Sequence, residues 1–409
     1  MKRRLVLALA AAVSAFPLAG LINGSPPPAT DYERDLTQIQ STLADLGRRP
    51  LSPGMLHLLE RRAALTGRAA DVRAAEAAIA EALQRVGPAE DVMLVKAALD
   101  FRLHRLPEAA RDLDALSARA DRIPVLLLRA DLALHTGRYE EARQSYARVA
   151  EQRPRWDTLA RLAYVESRVG DPELADQLYA RAEDDLSAKE MRAYAWVRLQ
   201  RGLLELRRGR HDAAMGHYRR AEQAYSGYWL VDEHIAELLG AQGKFDAAIA
   251  LYRRVVARAP RPELHQALGD LYNFAGRPAE AAPWHDKALA LYLESVQRGE
   301  VHYYHHLASF YADVRGDGAA AVKWARQDVE LRPNAGTREA LAWALYREGR
   351  YADALAVVTE ALASGVKDAH LFFHAGMIHL AAGMNAEGRA LLDRATAINP
   401  RYASFHVHR

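Results

Sequence analysis

The stretch "LLRADLALHTGRYEEARQSYARVAEQRP", from Leu127 to Pro154, has the pattern of two helices joined by a tight turn. Gly137 separates the two apolar segments, at a place where a helix that ends in the left-handed conformation favours glycine. The small residues Ala130 and Ala142 lie on either side of the turn and would let the two helices cross closely. Tyr146 follows one helical turn later. The stretch therefore predicts a helical hairpin that offers an aromatic side chain to a neighbour.

The same pattern recurs along most of the chain. The segment "LARLAYVESRVGDPELADQLYARAE", from Leu159 to Glu183, repeats it with Gly170 and Tyr179 in the equivalent places. The recurring turn glycines are Gly137, Gly170, Gly209, Gly243, Gly276, Gly316, Gly349 and Gly383, with spacings of 33, 39, 34, 33, 40, 33 and 34 residues. Because one hairpin cannot bury its apolar face alone, repeats of this period are expected to stack into a solenoid.

Two of these intervals are longer than the others. The additional residues fall near Ser187 to Met191 and near Ser295 to Glu300. We expect a longer helix or loop at a bend of the solenoid. Alternatively, the second insertion helps to shape a site, because it directly precedes the ring-rich stretch "HYYHHLASFY", from His302 to Tyr311.

Weaker copies precede the first clear repeat. They occupy Met93 to Ala118, which has no turn glycine, and Met55 to Leu83, which has Gly67 at its turn. Before them, Asp35 to Leu46 places its apolar residues on one helical face and predicts an amphipathic lead-in helix. The hairpins are thus expected to form one continuous solenoid over residues 35–400.

These residues resemble the tetratricopeptide repeat, whose pattern is W-x2-L-G-x2-Y followed by Ala, an aromatic residue and Pro. The closest local match is "LGDLY", from Leu268 to Tyr272, and the turn motif recurs as "GRYEEA", "GKFDAA" and "GRYADA". The resemblance covers roughly Asp91 to Pro400. It implies an all-α fold, namely a right-handed superhelical solenoid of about nine or ten helix-turn-helix repeats.

Composition agrees with this expectation and excludes several kinds of site. Half of the 409 residues are hydrophobic, and alanine and leucine, both strong helix formers, dominate. The charge is nearly balanced, with 55 basic and 52 acidic residues. The densest basic cluster, Arg207, Arg208 and Arg210, falls at expected exposed positions without interleaved aromatics, so we predict no nucleic-acid partner. The absence of cysteine excludes disulfides, thiolate metal sites and cysteine nucleophiles.

The N-terminus has the pattern of an export signal. The basic triplet from Lys2 to Arg4 precedes an apolar run from Leu5 to Leu18. We expect residues 1–24 to be a secretory signal peptide, which would make the protein periplasmic or secreted. The alternative is an uncleaved signal anchor and hence a membrane tether, because Leu5 to Ile22 is just long enough to span a bilayer. Residues 25–34 are expected to form a Pro-rich linker and residues 401–409 a C-terminal tail.

No catalytic signature is present, so we predict a non-enzymatic protein without a cofactor. The resemblance implies that the first helix of each repeat lines the concave face, where partners bind. We therefore predict a protein–protein interaction scaffold of the cell envelope that holds a peptide or protein segment in this groove. The groove residues obtained by repeat register are Glu263, Gln266, Asp270, Asn273, His302, His305, Ser309, Glu339, Trp343, Tyr346, His370 and Phe373.

The histidines of the last repeats leave a second hypothesis open. His302 and His306 are four residues apart, a spacing that places two imidazoles on one helix face, and His370 and His374 repeat it. Such pairs suit Zn²⁺ or Ni²⁺. The alternative function is therefore a periplasmic metal-binding or metal-handling protein that uses His302 and His306.

The end of the solenoid needs a cover, because a terminal repeat exposes an apolar face. No further polar helix follows Pro400, but the tail contains Tyr402 and Phe405. We expect these rings to fold back over the last repeat or to meet a partner.

Overall fold

The computed structural model describes residues 29–46, 52–116 and 122–405. The predicted signal segment, residues 1–24, lies outside these ranges. Within them every regular element is a helix, which confirms the all-α class. None of the described helices is both long enough and apolar enough to cross a membrane.

A lead-in helix, α1 (Asp31–Leu46), is followed by ten antiparallel hairpins that we number in chain order. Helix α1 begins four residues before the predicted start at Asp35, within the expected linker. Hairpin 1 is α2 (Pro53–Thr66) and α3 (Ala69–Val86), hairpin 2 is α4 (Glu90–Arg102) and α5 (Leu106–Ala115), hairpin 3 is α6 (Ile123–His135) and α7 (Tyr139–Gln152), hairpin 4 is α8 (Trp156–Val169) and α9 (Pro172–Asp184), and hairpin 5 is α10 (Met191–Arg207) and α11 (His211–Ala224). Hairpin 6 is α12 (Trp229–Ala241) and α13 (Phe245–Arg258), hairpin 7 is α14 (Pro262–Phe274) and α15 (Pro278–Gln297), hairpin 8 is α16 (Tyr304–Ser309), a π-helical segment (Phe310–Arg315) and α17 (Gly318–Leu331), hairpin 9 is α18 (Ala335–Arg347) and α19 (Tyr351–Ala363), and hairpin 10 is α20 (Ala369–Ala381) and α21 (Asn385–Ile398).

The small and aromatic positions of the repeat form the core, as predicted. Ala142 and its counterparts in later repeats are fully buried, and so are the tyrosines that follow them. In hairpin 5 the helices cross so closely that a Cβ on Gly202 would lie 2.1 Å from the ring of Tyr218. The buried repeat tyrosines include Tyr146, Tyr179, Tyr218 and Tyr252. A large side chain at the crossing position would therefore force each hairpin apart.

The first long interval is accommodated by a structured connection between hairpins 4 and 5. The backbone and hydroxyl of Ser187 donate hydrogen bonds to Glu190 Oε2 at 3.2 and 2.9 Å. Helix α10 then runs for 17 residues, compared with 13 or 14 in its neighbours α9 and α11. The extra residues thus enter a longer helix and loop, as expected.

The second long interval enters helix α15 and the irregular start of hairpin 8. Helix α15 has 20 residues and ends before a turn at Gly299, whose φ is 77°. The next helix begins only at Tyr304 and continues from Phe310 as a π-helical segment. Segments of this kind accommodate inserted residues and are frequent at functional sites. His302 consequently lies in a turn rather than on a helix.

Successive turns of the superhelix touch one another. Hairpin 3 meets hairpin 9, where Asn334 Nδ2 donates to the carbonyl of His135 at 2.9 Å. Hairpin 4 meets hairpin 10, where Arg168 and Asp368 form an ion pair at 3.0 Å. In both places the partner lies six hairpins further along the chain, so one superhelical turn takes about six hairpins. We call this line of contact, where the ends of α2, α4, α6, α8 and α10 meet the next turn, the seam.

The seam continues to both ends of the described solenoid. Near the N-terminus, Trp229 Nε1 donates to the carbonyl of Leu65 at 3.0 Å, which joins hairpin 6 to hairpin 1. At the other end, Phe405 is only 3% exposed and packs on Gly240 and Phe274. The tail therefore covers the ends of α12 and α14.

Candidate functional site

The closed superhelix surrounds a cavity of about 1360 Å³. Its wall consists mainly of residues from the first helices of hairpins 4 to 10, namely α8, α10, α12, α14, α16, α18 and α20, together with the tail. These are the helices that the repeat register assigns to the concave face. The geometry follows from the hairpin pattern, because the second helix of each pair packs outside the first.

Ten of the twelve predicted groove residues line this cavity. They are Glu263, Gln266, Asp270, Asn273, His305, Ser309, Glu339, Trp343, His370 and Phe373. His302 and Tyr346 are not among the residues that line it in the described part of the chain. The repeat register thus brings most of the set together, while its role in binding a partner stays a prediction.

One side of the cavity is an aromatic wall built around Trp343. Its indole stacks on His374, with ring centroids 4.0 Å apart, and on Tyr346 at 4.8 Å. Glu339 Oε1 lies 3.0 Å from His374 Nδ1, and Trp343 Nε1 donates to Asp313 at 3.0 Å. Tyr346 therefore supports Trp343 rather than lining the cavity itself. The contacts hold a flat, rigid surface of the kind that binds apolar or planar groups.

The acids and amides of α14 are held by the helices behind them. Tyr292 donates from its hydroxyl to Gln266 Oε1 at 2.9 Å, and His285 Nε2 lies 2.9 Å from Asp270 Oδ1. These contacts fix the side chains before any ligand arrives, which lowers the entropy cost of binding.

His305 faces the cavity with a buried carboxylate behind it. Its Nδ1 lies 3.4 Å from Asp328 Oδ2, and Arg332 donates to the same carboxylate at 2.7 Å. Burial alone would raise the pKa of Asp328, but the adjacent His305 ring and the charge of Arg332 outweigh it and lower this pKa to about 2. Asp328 therefore stays ionised and keeps the His305 ring in place.

The proposed metal pair of His302 and His306 is not assembled on one helix face. His302 precedes α16, its ring lies 4.1 Å from that of Tyr303, and burial lowers its pKa to about 4. His306 lies in α16 and stacks on Tyr292 at 5.9 Å. Neither belongs to a group of three close metal-ligating side chains within the described ranges. The spacing argument fails because the helix begins too late.

The arginines at the end of α10 line the cavity, although the sequence places them at exposed positions. Arg207, Arg208 and Arg210 all contribute to the wall. Arg208 and Arg210 contact Glu205 at 3.5 Å, whereas Arg207 takes part in no ion pair among the described residues. Their position near the seam could have been recognised only from the arrangement of the next superhelical turn.

Comparisons with known proteins agree with the repeat assignment. The sequence profile of the tetratricopeptide repeat matches residues 93–155, 235–295 and 339–403. A TPR repeat-containing protein, YpiA of Bacillus subtilis (strain 168), is 25% identical over 177 residues. That alignment covers 42% of this chain and 40% of YpiA, so less than half of the relative is matched.

Several solved structures are similar at low identity. The crystal structure of the APC/C hetero-tetramer Cut9-Hcn1 matches with 16% identity and a TM-score of 0.43, covering 90% of this chain and 80% of that one. A tetratricopeptide repeat protein from Parabacteroides merdae ATCC 43184 matches with 19% identity and a TM-score of 0.42, over 63% and 93% of the two chains. MamA matches with 20% identity and a TM-score of 0.32, over 41% and 96%. The repeat pattern, the ten hairpins and the three profile matches support the assignment of this chain as a tetratricopeptide repeat protein.

Proposed function

We propose that this protein is a non-enzymatic scaffold that holds an extended segment of a partner protein in its central cavity. Tetratricopeptide repeat domains generally bind protein partners and are typically not enzymes. The observation that carries the proposal is the convergence of ten polar and aromatic side chains, from several first helices, on one cavity. Helix-lined grooves of this kind hold peptides through side-chain hydrogen bonds to the backbone and through apolar pockets.

The cavity chemistry suggests what the segment contains. The aromatic wall around Trp343 suits a planar or apolar side chain, and Arg207 offers a guanidinium without an ion-pair partner among the described residues. Asn273 and Ser309 add groups that can hydrogen-bond a peptide backbone. We infer a segment that presents an apolar side chain and a carboxylate.

The cell envelope is the proposed location, supported by the basic triplet and apolar run at the N-terminus. Sequencing the N-terminus of mature protein from fractionated cells tests it. Protein that starts near residue 25 in the periplasm or medium is the expected result. Protein in the cytoplasmic fraction that retains residues 1–24 would reject the proposal.

Partner binding is tested by crosslinking in cells from two matched positions. Phe373 in the cavity and Tyr351, which is an exposed aromatic residue outside the cavity lining, are each replaced by a photo-crosslinking phenylalanine analogue. We expect a specific adduct only from position 373, and we expect Arg207→Gln to reduce it. Equal adducts from both positions, or an adduct unaffected by Arg207→Gln and Trp343→Ala, would contradict cavity binding.

A further inference from the structure

Helix α12 buries a cluster of metal-ligating side chains beside the cavity. Glu233, His234 and Glu237 are 1%, 4% and 0% exposed. The Nδ1 atom of His234 lies 3.3 Å from Glu233 Oε2 and 3.1 Å from Glu237 Oε2. One ligand atom from each residue lies within 4.8 Å of the other two. Glutamates are rarely buried so deeply in a protein core. Two of them beside a buried histidine are therefore candidates for a specific binding role.

A buried phenol points to the same place. Tyr218, on α11, is fully buried, and its hydroxyl has no hydrogen-bond partner among the described residues. Its ring stacks on the imidazole of His234, with centroids 5.8 Å apart. Burial, and then the charges of Glu237 and Glu233, raise the pKa of Tyr218 well above its usual value. Tyr218 thus places a buried hydroxyl, unpartnered in the described part of the chain, within electrostatic reach of both carboxylates.

A second phenol orients the carboxylate of Glu233. Tyr252, on α13, donates from its hydroxyl to Glu233 Oε1 at 3.2 Å. That hydrogen bond leaves Glu233 Oε2 on the side of His234. Outer hydrogen bonds of this kind commonly fix the orientation of metal ligands.

We propose that Glu233, His234, Glu237 and the hydroxyl of Tyr218 form a binding site for one divalent transition-metal ion, such as Zn²⁺ or Mn²⁺. Two carboxylate oxygens and one imidazole nitrogen suit these ions, whose bonds to such ligands measure about 2.0–2.2 Å. Ligands at those bond lengths lie about 3.0–3.4 Å apart around an octahedral or tetrahedral ion. The observed 3.1 and 3.3 Å separations from His234 Nδ1 fall in this range.

Ions that prefer all-oxygen sites, Ca²⁺ and Mg²⁺, fit less well because one ligand is an imidazole. Glu233 also lines the central cavity, which gives an ion a route to the site.

Binding at this site would join two neighbouring hairpins. Tyr218 belongs to hairpin 5 and the other three ligands to hairpin 6, so the ion would bridge them. The site uses none of the ten predicted groove residues that line the cavity, and neither His302 nor His306. Ligand binding to the folded state alone stabilises that state.

The test uses the purified full-length chain after treatment with a chelator. Isothermal titration with Zn²⁺ and Mn²⁺ is expected to show about one bound ion per chain and a rise in melting temperature, whereas Mg²⁺ at equal concentration gives neither. Glu237→Gln, which is nearly isosteric, is expected to weaken binding at least a hundredfold. The double variant His302→Gln/His306→Gln is the matched control and should bind like the wild type.

A second, milder variant keeps the test decisive if Glu237→Gln does not fold. Tyr218→Phe removes only a hydroxyl and is expected to weaken Zn²⁺ binding about tenfold and to change the visible spectrum of the Co²⁺-loaded protein. The proposal is overturned if the wild type binds no stoichiometric ion. It is also overturned if a folded Glu237→Gln, or else Tyr218→Phe, binds as tightly as wild type, or if the histidine double variant loses the ion.

Discussion

Gly137 and Gly276 occupy equivalent turns of two hairpins, yet only one of them lies at the seam. Both have left-handed backbones, with φ of 80° and 75°. A Cβ on Gly137 would lie 2.7 Å from the carbonyl oxygen of Pro333 in the next superhelical turn. The same position on Gly276 has no described atom within 4 Å beyond Gly276 itself and its two chain neighbours. In both hairpins the glycine therefore permits the left-handed turn. In hairpin 3 it also leaves room for the backbone of the next superhelical turn.

The seam also differs from the outer surface in its side chains. It partly buries His104, His135 and His302, and this burial, followed by the nearby charge of Arg332, lowers the pKa of the first two. His104 even adopts a left-handed backbone, with φ of 59°. Repeats that are equivalent in sequence pattern thus acquire different environments where the superhelix closes on itself. Four predictions compare the two regions, from the largest expected effect to the smallest.

Acid is expected to open the seam. Burial lowers the pKa of His135 and of His302 to about 4, compared with about 6.5 in an unfolded chain. Because the fold favours the neutral rings, their stabilisation is complete above pH 6.5 and is lost as the pH falls towards 4. Each ring should cost about 2 to 3 kcal/mol of unfolding free energy at pH 4.5. Urea unfolding at pH 7.5 and 4.5 measures the loss.

The control for the acid experiment is a histidine outside the seam. His135→Gln/His302→Gln should flatten the pH dependence between 6.5 and 4.5, whereas His57→Gln, at an exposed position of α2, should leave it unchanged. A wild-type protein that is equally stable at both pH values would show that these histidines are not buried in solution.

The tail is expected to stabilise the last part of the seam. Phe405→Ala removes a buried ring that packs on Gly240 and should cost about 3 kcal/mol. Phe274, whose ring lies 5.7 Å from that of Phe405, is 45% exposed, so Phe274→Ala should cost clearly less. Thermal unfolding and hydrogen exchange at the ends of α12 and α14 compare the two variants. Equal losses of stability for Phe405→Ala and Phe274→Ala would mean that Phe405 is not buried in solution.

The ion pair between hairpins 4 and 10 should matter more than an exposed pair. Arg168 and Asp368 are 23% and 16% exposed, and Arg168→Met leaves a partly buried carboxylate without its cation. We expect Arg168→Met to lower the free energy of unfolding by about 2 kcal/mol, a value between those typical of surface and of buried ion pairs. Arg350→Met, which breaks an exposed pair with Asp353, should cost less than about 0.5 kcal/mol. A similarly small loss of unfolding free energy for both variants would mean that Arg168 and Asp368 do not form a partly buried pair in solution.

The comparison between Gly137 and Gly276 has the smallest expected effect. Gly276→Ala should cost about 1 kcal/mol, because alanine is strained in the left-handed region. Gly137→Ala carries the same strain and also meets Pro333, so it should cost about 1 to 2 kcal/mol more. Urea midpoints of the two variants give the difference directly. Identical losses would indicate that the seam is open at this point.

The sequence period was sufficient to predict the hairpins and most of the cavity wall. Glycine turns, small crossing residues and buried tyrosines follow from contacts within one repeat or with the next. For the same reason the register placed Trp343, Phe373 and eight other predicted residues on one cavity. It failed for His302, because the extended α15 and the late start of α16 shift that residue out of the helix.

Other features of the site could not have been predicted from the repeat pattern. The arginines of α10 were expected to be exposed, but the superhelix brings them to the cavity. The cluster around His234 combines residues of α11, α12 and α13, and its burial depends on how hairpins 5 and 6 stack. Local periodicity carries no information about which polar residues the stacking will enclose.

The sequence by itself determined that this protein is a solenoid of helical hairpins, because each hairpin is defined by contacts within about 34 residues. Only the tertiary structure decided that the solenoid closes on itself. The seam joins residues such as His135 and Asn334, which are 199 positions apart. Such contacts depend on small rotations between hairpins that add up over six repeats, and a change of a few degrees in each would separate the turns.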